Sequence, residues 1–222
     1  MLKIYITSSG EDMRNAVANK RRNKQDCVGC GTGLFRFILL VAVLGIAAIF
    51  ISNAYFGSDI ADKIRKTQYP VKYEYFVEKY SNQYGLDKYL VYSVIRCESR
   101  FDRHAVSSAD AKGLMQLTDE TGEHCAKRAN IDKFDSSALF DPEINIHLGC
   151  YYLSELLKKY GSVDTALAAY NGGPGNVDKW LRNSRYSDGK NLISIPFDET
   201  KNYVKRVNDS IKMYKTIYDV DN

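Results

Sequence analysis

The chain has 222 residues, a hydrophobic fraction of 45% and a net charge of +4, from 31 basic and 27 acidic residues. This length suits one globular domain with additional segments, and the hydrophobic fraction excludes an intrinsically disordered protein. The basic excess is too small to indicate a nucleic-acid partner.

The first predicted element is a membrane-spanning helix. The sequence FILLVAVLGIAAIFI, residues 37–51, carries no charge, and with its flanks it reaches the roughly 20 residues that a spanning helix needs. The basic stretch NKRRNK precedes it, which favours a cytoplasmic N-terminus. We therefore predict a cytoplasmic basic tail at 1–36, a transmembrane signal-anchor at 37–56 and an extracytoplasmic remainder.

A cleaved signal peptide is the alternative to this anchor. Ser52 and Ala54 fit the small-residue rule for cleavage after Ala54, which would give a secreted protein. The stretch of roughly 35 residues before the apolar run is long for the N-terminal region of a signal peptide, so the retained anchor is favoured.

The cysteines do not indicate a metal site. The tail carries a lone C-x-x-C at 27–30, which supplies too few ligands for zinc. Two histidines, His124 and His147, would complete a zinc site only if their segments met the nearby cysteines. We expect no metal and no cofactor. The outer part has three cysteines, so at most one disulfide can form among Cys97, Cys125 and Cys150.

A polar linker at 57–70 leads into a helical outer part at 71–222. Gly85 marks the end of a first helix, and Asp87 caps the start of a second. The sequence SVDTALAAY, ending at Tyr170, predicts a helix that breaks at NGGPG.

Two longer helices complete the outer part. The stretch 141–161 combines an N-cap at Asp141, a proline at its first position and a glycine stop. The last helix begins near Asp198. No set of alternating strands is present, and NLISIPF at 191–197 is the one candidate for a short extended segment. The predicted fold class is therefore mainly α.

Glu98 stands where helical periodicity expects an apolar residue. Val91 and Ile95 occupy positions i and i+4 of one stripe, and Glu98 falls at i+7. Burial and the C-terminal end of a helix dipole would both raise the pKa of this carboxyl. A carboxyl that stays protonated near neutral pH can act as a general acid. The alternative is a glutamate turned outward at a helix end.

Further polar side chains would suit a hydroxyl-rich ligand. The loop after Glu98 contains serines, and KGLMQL at 112–117 combines a glycine for close backbone approach, an adaptable methionine and an amide. AYNGGPG at 169–175 places a tyrosine and an asparagine at a sharp turn. Taken singly, each of these residues also fits ordinary packing or helix capping.

Four motifs in order resemble the catalytic domain of the soluble lytic transglycosylase family. They are ESRFDRHAVSSADAKGLMQLTDET, NIHLGCYYL, AYNGGPG and FDETKNYV, and the resemblance covers residues 71–218. It implies a lysozyme-like, mainly α fold with a long groove. It also implies cleavage of the β-1,4 bond between N-acetylmuramic acid and N-acetylglucosamine in peptidoglycan.

The resemblance implies roles for individual residues. Glu98 matches the only catalytic carboxylate of the family. The sequence departs from the family where Asp110 replaces a usual glycine, Asp119 a common proline and Gly172 a frequent alanine, and where Cys97 precedes the glutamate. The substrate-binding positions that match are Ser107, Met115, Gln116, Tyr170, Asn171 and, as a supporting residue, Glu199.

A single carboxylate implies a mechanism without water. Glu98 would protonate the leaving oxygen and then act as base on the C6 hydroxyl of the sugar, forming a 1,6-anhydro ring. A hydrolytic muramidase needs a second carboxylate, for which the nearby candidates in sequence are Asp102, Asp110, Asp119 and Glu120. A membrane-anchored wall-binding or assembly protein of a secretion or conjugation system is the third alternative. The expected partners are peptidoglycan glycan strands and the membrane.

Overall fold

The computed structural model describes residues 36–52, 60–61, 63–131 and 134–219. The chain divides into two units, Met1–Ala61 and Asp62–Asn222. In the first unit, residues 36–52 form helix α1, whose side chains are all exposed. Within the described ranges, no helix has both the length and the apolarity needed to cross a membrane. The predicted tail up to residue 35 and the end of the predicted anchor, 53–56, lie outside the described residues.

The second unit is built from helices. An isolated bridge at Leu192 is the extent of pairing in the predicted extended segment, and no strand forms among the described residues. The mainly α prediction is confirmed. In chain order, the helices are α2 (Glu74–Tyr84), α3 (Lys88–Ser99), α4 (Asp119–Arg128), the 3₁₀ helix η1 (Ser136–Phe140), α5 (Pro142–Tyr160), α6 (Val163–Gly172), α7 (Pro174–Leu181) and α8 (Asp198–Tyr218).

The predicted helix boundaries are confirmed by their caps. The Asp87 side chain accepts a hydrogen bond from the backbone N–H of Tyr89 at 2.8 Å. Asp141 accepts from two backbone N–H groups at the start of α5, and glycines end α2 and α5. Helix α6 continues past Tyr170 to Gly172, two residues further than the sequence indicates.

The C-terminal half of the predicted linker differs from the expectation, because residues 63–68 are helical. The segment that follows is bonded to α8: Tyr214 Oη donates to the carbonyl of Pro70 at 3.0 Å, and Tyr218 Oη to that of Tyr69 at 2.8 Å. These phenols satisfy backbone carbonyls in a stretch that has no apolar periodicity of its own. The compact unit that contains these contacts spans Asp62–Asn222.

Helix α3 lies in the core and packs against α8. Val91, Val94 and Ile95 are fully buried, and the stripe that they form leads directly to Glu98 in the last turn. The core thus fixes the position of this carboxyl along the helix.

The cysteines of this unit are free thiols. Cys125 and Cys150 are buried and Cys97 is half-buried. The one disulfide that the sequence would allow is not formed. Among the described residues, no group of three or more His, Cys, Asp or Glu side chains could hold a metal ion.

Candidate active site

Glu98 combines a half-buried carboxyl with a helix end. Burial raises the pKa of Glu98 from 4.5 to about 7. In a substantial fraction of the molecules, Glu98 therefore carries a proton at neutral pH, in agreement with its position on the apolar stripe.

Three residues of α8 act on the Glu98 carboxyl. The nearby Tyr203 hydroxyl and the positive charge of Arg206 lower the pKa of Glu98, whereas the negative charge of Glu199 raises it. These residues are spaced i, i+4 and i+7, so they share one face of the helix. The effect of burial, which raises the pKa of Glu98, outweighs the effects of Tyr203 and Arg206, which lower it. The sequence does not predict Tyr203 and Arg206 as site residues. Their spacing from Glu199, which places them on the same helix face, is the signal that could have indicated them.

The Tyr203 hydroxyl is buried and lacks a hydrogen bond of ordinary length and angle to any described group. It lies near enough to lower the pKa of Glu98 but does not form a hydrogen bond with it. Burial and the Glu98 charge hold the pKa of Tyr203 well above its usual value, so the phenol keeps its proton. An unpaired buried hydroxyl costs about 1–3 kcal/mol, and a ligand or a moved Glu98 would recover that cost.

Two substitutions on α8 should shift the pKa of Glu98 in opposite directions. Tyr203→Phe removes the polar hydroxyl near the carboxylate and should raise the pKa of Glu98, whereas Glu199→Gln removes a negative charge and should lower it. Carboxyl ¹³C NMR titration of Glu98 measures both shifts. Glu123→Gln, an exposed change on α4, is the matched control and should leave the titration unchanged. Shifts in the same direction would contradict this arrangement.

Tyr170 reaches the site from α6. Its hydroxyl donates to the carbonyl of Met115 at 2.7 Å. Burial, with a contribution from the Glu98 charge, raises the pKa of Tyr170 well above its usual value. Since its proton is committed to the carbonyl, the phenol oxygen is left to accept a hydrogen bond from protonated Glu98 or from a ligand hydroxyl.

Met115 is fully buried, which differs from the expectation of a ligand-contacting side chain. Its side chain lies against Gly149 of α5, where an added Cβ would come within 2.3 Å of the sulfur. The Met115 side chain therefore packs in the core beneath the site, and its backbone carbonyl accepts the hydrogen bond from Tyr170. Its neighbour Gln116 has φ 50° and is half-buried.

The amide of Gln116 is partly used by the loop itself. Its Nε2 donates to the carbonyls of Ala105 at 3.1 Å and Gly113 at 2.9 Å. The side-chain oxygen is left as an acceptor. Gln116 thus holds the loop and can offer a ligand one acceptor, rather than the donor and acceptor together that the sequence allowed.

Ser107 organises the loop after α3. Its exposed hydroxyl oxygen accepts from the N–H groups of Ala109 and Ala111, at 3.2 and 3.1 Å. Within the same loop, Asp110 has φ 57°, a left-handed conformation that explains why glycine is usual here in the family. Aspartate tolerates this region better than most residues, and Asp110 also pairs with Lys112 at 3.0 Å.

Asn145 of α5 anchors the KGLMQL turn, a role that the sequence did not reveal. Its Oδ1 accepts from the Met115 N–H at 2.7 Å, and its Nδ2 donates to the carbonyls of Lys112 and Leu139 at 2.9 and 2.8 Å. Gly113 makes this approach possible: its φ is +77°, and an added Cβ would lie 2.1 Å from the Leu139 oxygen.

The remaining predicted residues lie at the ends of their helices. Asn171 is half-buried near the end of α6 and makes no side-chain hydrogen bond to a described residue, and Glu199 is exposed in the first turn of α8. Ser99 ties α3 to the KGLMQL turn by donating to the Leu114 carbonyl at 2.8 Å. Glu199 and Tyr170 thus both interact electrostatically with Glu98. Tyr170 is in turn hydrogen-bonded to the Met115–Gln116 turn.

Comparisons with known proteins show which family the domain belongs to. A profile of the transglycosylase SLT domain matches residues 75–193, just over half of the chain. The soluble lytic murein transglycosylase of Escherichia coli K12 is 35% identical over 144 residues, which cover 63% of this chain and 22% of that protein. Membrane-bound lytic murein transglycosylase C of Sodalis glossinidius is 33% identical over 161 residues, 68% of this chain and 45% of that protein.

Solved structures give the same result. An inactive mutant of the lytic transglycosylase Slt from Pseudomonas aeruginosa and the 70 kDa soluble lytic transglycosylase from Escherichia coli both match with a TM-score of 0.62 and 31% identity. Each match covers 68% of this chain and 25% of the other, so the chain spans only part of the length of its relatives. The predicted lysozyme-like SLT fold is confirmed, and the chain belongs to the transglycosylase SLT domain family.

Proposed function

We propose that this chain is a peptidoglycan lytic transglycosylase that cleaves the β-1,4 bond between N-acetylmuramic acid and N-acetylglucosamine. The observation that carries the proposal is the Glu98 carboxyl, whose pKa burial raises to about 7 within an SLT-family domain. The relatives named lytic murein transglycosylases support the same substrate class.

In the first step, protonated Glu98 donates its proton to the glycosidic oxygen as the C1–O bond breaks. Positive charge develops at C1 of the muramic acid ring, and Glu98 becomes a carboxylate. Tyr203 and Arg206 both favour the charged form of Glu98, so they stabilise the carboxylate that this step creates.

In the second step, the Glu98 carboxylate takes the proton of the C6 hydroxyl, and O6 of the same sugar bonds to C1. The proton returns to Glu98, no water is consumed and the ring closes as a 1,6-anhydro sugar. The nucleophile is already held by substrate binding, which favours its attack over that of a free water molecule. Tyr170, whose hydroxyl donates to the Met115 carbonyl, can accept a hydrogen bond from Glu98 before the first step and after the second, when the carboxyl carries its proton.

Of the four other carboxylates near Glu98 in sequence, three have structural partners, and the fourth, Glu120, is exposed in the first turn of α4. Asp110 and Asp119 both pair with Lys112, at 3.0 and 2.6 Å, and Asp102 accepts a backbone hydrogen bond at 2.9 Å. Among the described residues, Glu199 is the carboxylate that acts on the charge of Glu98. A hydrolytic muramidase, the second candidate function, would therefore need Glu199 to activate water.

The product end distinguishes these two functions. Digestion of purified peptidoglycan by the full chain in detergent should release muropeptides with anhydro ends, one water lighter than hydrolytic products and resistant to borohydride. Mass spectrometry before and after reduction measures both properties. A digest containing only reducible ends would show hydrolysis, and Glu199→Gln would then test the missing base. Wall binding without cleavage would favour the wall-binding or assembly alternative.

We further propose that residues 37–56 anchor the protein in the membrane, with the tail at 1–36 in the cytoplasm and a linker leading to the catalytic domain outside. The uncharged run 37–51 and the exposure of every side chain of α1 support this, as does a relative named membrane-bound. Protease added to cells stripped of their wall should remove the catalytic domain. A soluble form that begins at Tyr55 would instead demonstrate signal cleavage.

A further inference from the structure

A basic cavity of about 650 Å³ lies in the catalytic unit, bounded by the segment before α2, the C-terminal end of α3 and one residue of α8. No acidic side chain lines it. The polar and apolar parts of its wall include Gln68, Cys97 and Phe101. The cationic side chains that line it are Lys72, Arg96, Arg100 and Arg206.

These four cations form no ion pair with any described acidic residue, in contrast to other lysines of the unit. Lys79 pairs with Glu143 at 2.7 Å and Lys159 with Asp178 at 2.8 Å. Like charges that line one cavity repel each other, and a bound anion would remove that cost. The charge pattern therefore indicates an anionic ligand.

The backbone at the cavity wall is held in an uncommon conformation. Arg100 and Phe101 are consecutive non-glycine residues with φ 53° and 66°. Such left-handed positions cost free energy and cluster at ligand sites, where the surrounding structure enforces them. Phe101 is buried and fixes the turn, so Arg100 is held at the cavity wall.

The opposite wall is also fixed. The Nε of Arg96 donates to the carbonyl of Gln68 at 2.9 Å, and its guanidinium carbon lies 4.0 Å from the centroid of the Tyr69 ring. One edge of this guanidinium is thus used to hold the chain before α2, and its remaining N–H groups are available to a ligand. Arg96 is therefore held in the cavity wall before a ligand binds.

The cavity adjoins the candidate active site. Cys97 in its wall directly precedes Glu98, and Arg206 both lines the cavity and acts on the Glu98 carboxyl. Arg206 is therefore shared by the cavity wall and the surroundings of the acid. This proximity favours an anionic part of the substrate over an unrelated effector.

We propose that the cavity binds a carboxylate of the peptide attached to the muramic acid whose bond is cleaved. This inference rests on the proposed function, because it assumes that the glycan at Glu98 belongs to peptidoglycan. The peptide is attached to the cleaved sugar through a lactyl group and carries free carboxylates, which match an unpaired set of guanidinium and ammonium donors.

The proposal is tested by direct binding of a free peptide. The probe is the synthetic tripeptide L-Ala-γ-D-Glu-L-Lys, compared with the same peptide with both carboxyls amidated. Titration calorimetry uses the full wild-type chain in detergent micelles. The acidic peptide should bind at least about tenfold more tightly than the amidated one, a difference of about 1.4 kcal/mol.

The matched variants are Lys72→Gln with Arg100→Gln, and the control Arg185→Gln. The first two side chains are exposed and make no hydrogen bond to described residues, so their loss should leave the fold intact. The double variant should lose at least about tenfold in affinity for the acidic peptide, whereas the control, an exposed cation outside the cavity, should bind like wild type.

Several results would overturn the proposal: equal affinity for the two peptides, an undiminished affinity in the double variant, or binding of inorganic phosphate without binding of the peptide. The last result would assign the cavity to a phosphate-bearing wall polymer. The peptide contains no glycosidic bond, so its binding is independent of cleavage. If the peptide binds but peptidoglycan is not cut, the cavity assignment stands and the proposed activity fails.

Discussion

Replacement of Glu98 by glutamine should abolish glycan cleavage while the protein remains folded. Glutamine keeps the size and polarity of the side chain but cannot transfer the proton that both proposed steps require. General acid–base catalysis typically contributes about 10²–10⁴-fold, or roughly 3–5 kcal/mol of the barrier. Release of anhydro ends from purified peptidoglycan measures the loss. Cleavage by Glu98→Gln at a rate close to wild type would contradict the assignment.

Stability against pH provides the control that this variant is folded. The pKa of Glu98 is 4.5 in the unfolded reference and about 7 in the folded protein, so the folded state binds the proton more tightly. The stability from this linkage is fully present below pH 4.5 and is lost as the pH rises through 7. Glutamine has no proton to lose.

The free energy of unfolding of Glu98→Gln should therefore exceed that of wild type by roughly 3 kcal/mol at about pH 8, and the two should converge below about pH 4. Urea denaturation at the two pH values measures this difference. Glu123→Gln, an exposed carboxyl on α4, is the matched control for both activity and stability and should behave as wild type. An equal stability difference at both pH values would exclude a raised pKa for Glu98.

The parts of the fold that were predictable from the sequence depend on local interactions. Asp87 caps α3 through a backbone N–H two residues away, and Asp141 caps α5 through N–H groups two and three residues away. The burial of Glu98 follows from its position one step along a helical stripe. Each of these relations is contained within two turns of helix, where residue type and spacing determine geometry.

The parts that were not predictable depend on contacts between distant segments. Nothing near Glu98 in sequence indicates that Tyr203 and Arg206 of α8 oppose the effect of burial on its pKa. Met115 was expected at the ligand surface, but Gly149 of α5 leaves space for it in the core. The segment before α2 was predicted to be a linker. The contact that holds it, a hydrogen bond from the phenol of Tyr214, comes from the last helix and has no signal in the local sequence.

Asn145 illustrates the same limit and leads to the largest expected effect on stability. Its motif was recognised in the sequence, but its three hydrogen bonds join α5 to the KGLMQL turn and to the end of η1. Asn145→Leu has a similar volume and would leave the Met115 N–H and the Leu139 carbonyl buried and unpaired, whereas the Lys112 carbonyl keeps the hydrogen bond from the Leu117 N–H at 3.1 Å. Each of these two unpaired groups costs about 1–3 kcal/mol, so the free energy of unfolding should fall by roughly 2–6 kcal/mol.

A loss of this size is a large fraction of the total stability of an ordinary domain, about 5–15 kcal/mol. Asn145→Asp should also be destabilised, because it keeps the acceptor for the Met115 N–H but turns a carboxylate toward the two carbonyls. Asn183→Ala, which removes one exposed side-chain hydrogen bond to Arg185, is the matched control and should cost about 1 kcal/mol or less. Urea denaturation of the three variants measures the order. If Asn145→Leu lost no more than the control, the turn that carries the Met115 carbonyl would have to be held by other contacts, and the support that Tyr170 receives from it would not depend on α5.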